Sequence, residues 1–118
     1  HHPTAIATTL EGLRRAIGDA RIVAVLEPRS NTMKLGTMKA ALPASVAAAD
    51  RVYCYAGNLG WDAGAVFAPL GDKARVVDDL DALVDAIVRD ARAGDQVVVM
   101  SNGGFGGIHD KLLARLAA

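Results

Sequence analysis

The sequence predicts a single α/β domain, a mostly parallel sheet with helices on both faces, and three observations carry that prediction. Short apolar runs at Ile22–Leu26, Val52–Tyr55 and Gln96–Met100 alternate with longer stretches of helical periodicity. The runs are rich in valine and almost free of charge, as strands covered on both faces must be. Segments rich in glycine, proline and asparagine separate the two kinds of stretch.

In chain order, Ile6, Leu10, Leu13 and Ile17 recur at helical spacing. Pro3 suits the first position of that helix and Gly18 its C-terminal cap. Ile22–Leu26 reads as a buried strand, and the polar residues 27–35 as a loop. Leu35, Met38, Leu42 and Val46 form the next helical stripe, which Pro43 is expected to kink or divide. Val52–Tyr55 is a second strand, residues 56–60 a loop, residues 61–70 one or two helical turns, and Ala74–Val77 a short third strand. Asp78 or Asp79 is expected to cap a helix whose apolar face is Leu80, Leu83, Val84, Ile87, Val88 and Ala91. Arg89 and Arg92 are placed in its last turn, and Gly94 after it. Gln96–Met100 reads as a central parallel strand, and Ile108, Leu112 and Leu116 carry the last helix.

Bulk properties narrow the function classes. A chain of 118 residues makes one domain. It should keep about 6,000 Å² of accessible surface from about 18,000 Å² unfolded, enough to bury a core without staples. With aromatics at 4%, alanine, valine and leucine must fill that core. The zero formal charge offers no basic stripe for nucleic acid. No apolar run is long enough for a membrane span, and no secretory signal is visible. Cys54, the sole cysteine, fits a reducing cytoplasm and reads as buried.

Parallel α/β sheets bind ligands beyond the carboxyl ends of their strands. The segments of interest are therefore Glu27–Lys34, Ala56–Asp62, Asp78-Asp79 and Ser101–Gly107. In Ser101-Asn102-Gly103-Gly104-Phe105-Gly106-Gly107, glycine fills four of the five positions 103–107 and permits close backbone approach to an anion at a helix start. It is not a dinucleotide fingerprint, because from Gly104 the third glycine would fall at His109, and no Gly-Lys-Ser/Thr follows to make a phosphate loop. A tight turn is the plain alternative. After the first strand, Arg29 offers a planar fork for a carboxylate, Lys34 a second cation, and Ser30, Asn31 and Thr32 neutral hydrogen bonds. One of Asn31 and Thr32 also suits a helix cap. His109, expected one turn into the last helix, reads as a surface or capping residue, Asp62 as an ordinary helix-start acid, and Asp78, Asp79 and Asp81 as a solvated helix start. No metal-ligand spacing and no nucleophile–base arrangement is evident. The residues alone describe a binding domain for an anionic ligand, without a complete catalytic set.

Three motifs add a family resemblance: His1-His2-Pro3-Thr4; Leu26-Glu27-Pro28-Arg29-Ser30-Asn31-Thr32-Met33-Lys34; and Met100-Ser101-Asn102-Gly103-Gly104-Phe105-Gly106-Gly107-Ile108-His109. Across essentially the whole chain, the sequence resembles the C-terminal domain of the Mur ligase family. That resemblance implies a Rossmann-like sheet excised from a three-domain enzyme, with the phosphate loop in a central domain and the UDP-binding region in an N-terminal one. It implies ATP-dependent amide formation in peptidoglycan recycling. The lactyl carboxylate of UDP-N-acetylmuramate becomes an acyl phosphate, and the amine of the tripeptide L-Ala-γ-D-Glu-meso-diaminopimelate attacks it. ATP and Mg2+ would bind mainly outside this domain. His1 and His2 would follow the hinge on the nucleotide side. Arg29, then Ser30, Asn31, Thr32 and Lys34, would bind substrate, while Ser101, Asn102, Gly103 and Gly104 would face either the tripeptide or the nucleotide. Two other readings stay open, a stand-alone nucleotide-binding module and a non-enzymatic interaction domain.

Overall fold

A strand whose side chains are all apolar can sit only where helices cover both faces, and Ile22–Leu26 is buried at every position. In the computed structural model, which describes residues 3–27, 37–57, 63–92, 94–101 and 107–117, this run lies in β1 (Ile22–Glu27) near the middle of the sheet. The elements follow as α1 (Pro3–Ile17), β1, α2 (Thr37–Ser45), β2 (Arg51–Tyr55), α3 (Ala63–Phe67), a 3-10 segment (Ala68–Lys73), β3 (Ala74–Val77), α4 (Leu80–Asp90), β4 (Gln96–Ser101) and α5 (Ile108–Ala117). The sheet order is β3-β2-β1-β4, and every pairing is parallel.

Side-chain alternation in the strands sorts the helices into two layers. Ile22, Ala24 and Leu26 of β1, with Val52 and Cys54 of β2, pack with Ile6 and Leu10 of α1, Leu42 of α2 and Phe67 of α3. Val23, Val25 and Tyr53 face the other way and meet Leu83, Val84 and Ile87 of α4 with Ile108 and Leu112 of α5. Gly18 takes φ 65° past the end of α1, and its N–H donates to Arg14 O at 3.0 Å, the left-handed stop that glycine makes readily. Asp79 is the cap of α4, its carboxylate accepting from Ala82 N at 2.9 Å.

The structure corrects four expectations. β4 pairs only with β1 among the described residues, so it is an edge strand and not a central one. Its valine run reports cover on both faces, which an edge strand can also have; Val97, Val98 and Val99 are each only half-buried. Pro43 neither divides nor ends α2, which continues to Ser45; the proline sits close to the helix end, so its missing N–H interrupts little of the ladder. Arg92 lies beyond α4. Its N–H donates to Asp95 Oδ2 at 2.8 Å across the turn that Gly94 completes at φ 90°. His109 falls in the first turn of α5, since that helix begins at Ile108.

Arginine–aspartate pairs tie the amino ends of the strands together. Arg21 grips Asp95 in a fork, Nε to Oδ1 at 3.1 Å and Nη2 to Oδ2 at 2.7 Å, and also donates to the carbonyl of Asp90 at the end of α4. The Asp90 carboxylate accepts from Arg51 Nε at 3.1 Å and from the Tyr53 hydroxyl at 2.9 Å. On the other layer, Arg14 reaches the carbonyls of Gly18, Ala20 and Ala48 and the carboxylate of Asp50, which also accepts from Ile22 N at 2.8 Å. The Arg21 hydrogen bond holds the Asp95 carboxyl below the usual range. Desolvation works against Asp90, yet Tyr53, Arg51 and Arg21 together hold it low as well.

Because both carboxyls are depressed in the folded state, their stabilisation is present above the ordinary aspartate value and fades as pH falls through the folded values. The thermal midpoint should stay level down to about pH 5 and drop below about pH 4. Asp95→Ala should cost about 1.5–3 kcal/mol in urea unfolding at pH 7 and shrink that acid-dependent drop. An unchanged urea midpoint would remove Arg21–Asp95 from the interactions that hold the fold.

Candidate functional site at the carboxyl edge

Parallel pairing brings the carboxyl ends of all four strands to one edge, and the register makes them a row. Glu27 of β1 pairs with Ser101 of β4, and Tyr55 of β2 with Val77 of β3. Leu26 pairs with Cys54, so Tyr55 stands level with Glu27. The segments that begin at positions 28 and 102 therefore leave the sheet from neighbouring strands, about 5 Å apart at their roots. Both motifs singled out in the sequence spring from that pair of strand ends.

Of the candidate binding residues, Ser101 is placed by its backbone, at the last position of β4. Arg29, Ser30, Asn31, Thr32, Lys34, Asn102, Gly103, Gly104, His1 and His2 lie outside the described residues, as do Trp61 and Asp62. What surrounds them is defined. Gly107 takes φ 76°, and Ile108 behind it is fully buried, which pins the start of α5 against the sheet. The residues between 101 and 107 therefore join two anchored points, the end of β4 and the start of α5. On the opposite flank, Ala56 N donates to Val77 O at 2.8 Å and extends the β2–β3 ladder past Tyr55.

One arrangement at this edge was not foreseen. The phenol of Tyr55 folds over the backbone of Gly57, so closely that a Cβ added there would overlap the hydroxyl and lie 2.5 Å from Cζ. The ring packs against the buried cluster on the α4 layer. It thereby fixes where the chain leaves β2. The signal in the sequence was a tyrosine ending a strand with glycine two residues on, a pattern too common at strand ends to single out a contact.

Cys54, one residue before the end of β2, is not available as a nucleophile. Burial pushes the Cys54 thiol up to about 12, so it stays protonated and inert. Among the described residues, no three of histidine, cysteine, aspartate and glutamate gather as a metal cage, and no helix is long and apolar enough to cross a membrane. Asp78 and Asp79 are exposed and serve the start of α4.

The Tyr55–Gly57 contact makes a direct prediction. Gly57→Ala should destabilise the domain by about 1–3 kcal/mol through overpacking. In a Tyr55→Ala background the same change should cost at least about 1 kcal/mol less, in the range contacting pairs show in double-mutant cycles. Additive costs in urea unfolding would mean that the ring and the glycine do not meet.

Comparison with known proteins places this geometry. The family model for the Mur ligase, glutamate ligase domain, matches residues 1–103. UDP-N-acetylmuramate–L-alanyl-gamma-D-glutamyl-meso-2,6-diaminoheptandioate ligase of Escherichia coli K12 is 50% identical over 99% of this chain and 26% of its own length. The ligase of the same name from Haemophilus influenzae Rd is 45% identical over 98% of this chain and 26% of its own. Among solved structures, a murein peptide ligase from Psychrobacter arcticus superposes with a TM-score of 0.85 at 41% identity, over 98% of this chain and 26% of that one. A domain from a ligase assigned the same substrates in Haemophilus ducreyi gives 0.83 at 44%, over 98% and 85%. The chain thus spans about a quarter of the length of the curated relatives it matches. With the whole four-stranded sheet inside the family match, and 98–99% of the chain inside the alignments to these ligases, the chain belongs to the Mur ligase family, as a C-terminal domain of that family.

Proposed function

We propose that this chain is the substrate-binding and closure domain of a three-domain, ATP-dependent ligase that joins UDP-N-acetylmuramate to the tripeptide L-Ala-γ-D-Glu-meso-diaminopimelate in peptidoglycan recycling. The observation that carries this reading is the 50% identity, over 99% of the chain, to a ligase named for those substrates. ATP and Mg2+ would be held mainly by the other domains, in the cytoplasm where ATP is supplied. In the reaction, the lactyl carboxylate takes the γ-phosphoryl group of ATP and releases ADP. The free amine of the tripeptide then attacks the acyl carbon, inorganic phosphate leaves, and the amine loses a proton as the amide forms. An acyl phosphate is open to hydrolysis, so the site must shut out water before the amine arrives, and that is the use of a domain that closes.

The carboxyl edge suits that role. The tripeptide carries several carboxylates, and each needs a cation or a backbone N–H once water is excluded. Arg29, in the segment that follows β1, is the first candidate for a carboxylate, with Lys34 as a second cation and Ser30, Asn31 and Thr32 as neutral partners. Ser101, Asn102, Gly103 and Gly104 leave the adjacent strand and would form the neighbouring wall of the same cleft. His1 and His2 would lie at the hinge, towards the nucleotide.

Residues 1–118 alone should show no ligase activity in a coupled phosphate-release assay. In the full-length enzyme, Arg29→Ala should raise the KM for tripeptide by a factor matching about 2–4 kcal/mol while leaving that for ATP unchanged. An unaltered tripeptide KM would remove Arg29 from the binding site.

A further inference from the structure

We propose that the groove between α4 and the edge strand β3 binds an organic dianion, two oxyanion groups on a short apolar spacer, through Arg75 and Arg89. The site lies on the side of the domain, along β3, and reaches the row of strand ends only at Val77.

The groove follows from how the layers cover β3. The 3-10 segment and α3 pack on one face of that strand. On the other face α4 lies over β2, where the Tyr53 hydroxyl meets Asp90, and a cavity of about 400 Å³ remains beside β3. Register places Arg75 next to Tyr53 on this face, with Val77 two residues further along. Tyr53 is fully buried and makes the floor; Ala82 and Ala86 of α4 make an apolar wall opposite Val77.

The charges in the groove do not cancel. Asp85 is engaged by Arg115 at 2.7 Å. Asp90 is shared by Arg21, at 3.3 Å, and Arg51, at 3.1 Å. Arg51 spends a further N–H on the carbonyl of Asp72. Arg75 and Arg89 line the same cavity, and neither side chain has an ion pair or hydrogen bond within the described residues. Two guanidinium forks thus face a concave space whose carboxylates are already occupied. Such forks match carboxylate and phosphate oxygens in pairs. The apolar wall between them favours a ligand with a hydrocarbon spacer.

The test is a titration of the 118-residue chain with glutarate and, separately, with pyrophosphate, followed by backbone amide NMR. Saturable shifts are expected at Arg75–Val77, Ala86 and Arg89. Arg75→Gln and Arg89→Gln should each weaken binding about tenfold or more, while Arg15→Gln, on the opposite layer, should not. Tighter binding of glutarate is the expected result, and tighter binding of pyrophosphate, which has no hydrocarbon spacer, overturns the proposal. Shifts that fail to saturate with either probe, or saturate unchanged in the Arg75→Gln/Arg89→Gln double variant, overturn the proposal. Retained amide dispersion in the variants verifies that they fold. Because the readout is binding to the isolated chain, its failure would leave the ligase assignment untouched.

Discussion

The burial of β1 on every side is the constraint on which the rest of the structure depends. Its backbone is paired on one edge with β2 and on the other with β4, and helices cover both faces. A strand in that position has no solvent direction in which to point a polar group, so Ile22, Val23, Ala24, Val25 and Leu26 are all apolar and all buried. Alternation then decides the layers. Residues 22, 24 and 26 take the side of α1, α2 and α3, and residues 23 and 25 the side of α4 and α5.

The two ends of that strand do different work. At the amino end two charged groups, Arg14 with Asp50 on one layer and Arg21 with Asp90 and Asp95 on the other, tie helix ends, turns and strand starts together. Pairing there is only partly exposed to water and rests on forked geometry, so it is worth more than scattered surface ion pairs. At the carboxyl end the strands finish in a level row, and the two candidate binding segments begin from neighbouring positions in it. The proposed closure domain would gain from this division: a fixed base keeps the roots of the candidate binding segments in register, and the segments themselves carry the groups that would meet substrate.

Tyr55 and Gly57 show how such an edge is tuned without a charged group. The phenol occupies the space that any side chain at position 57 would need, so the exit of β2 has one geometry. Arg75 and Arg89 illustrate the opposite case, side chains without partners among the described residues, beside a groove where α4 covers the outermost strand only in part.

By itself the sequence determined the α/β class and the order of elements, because helical and strand periodicities are local and each reports which side of an element meets the core. It placed α1 between Pro3 and Gly18, and Ala74–Val77 as a strand. It also located the carboxyl edge from which the candidate segments arise, since that follows from parallel topology alone, and three motifs carried the family. Only the tertiary structure decided the lateral order of the strands. The valines of β4 resemble those of a central strand because apolarity records cover above and below, never hydrogen bonding at the sides. The same limit hid the Arg21–Asp95 fork, whose partners lie 74 residues apart, and the groove beside β3. Contacts between distant residues depend on how layers are stacked, and no period in the chain encodes that.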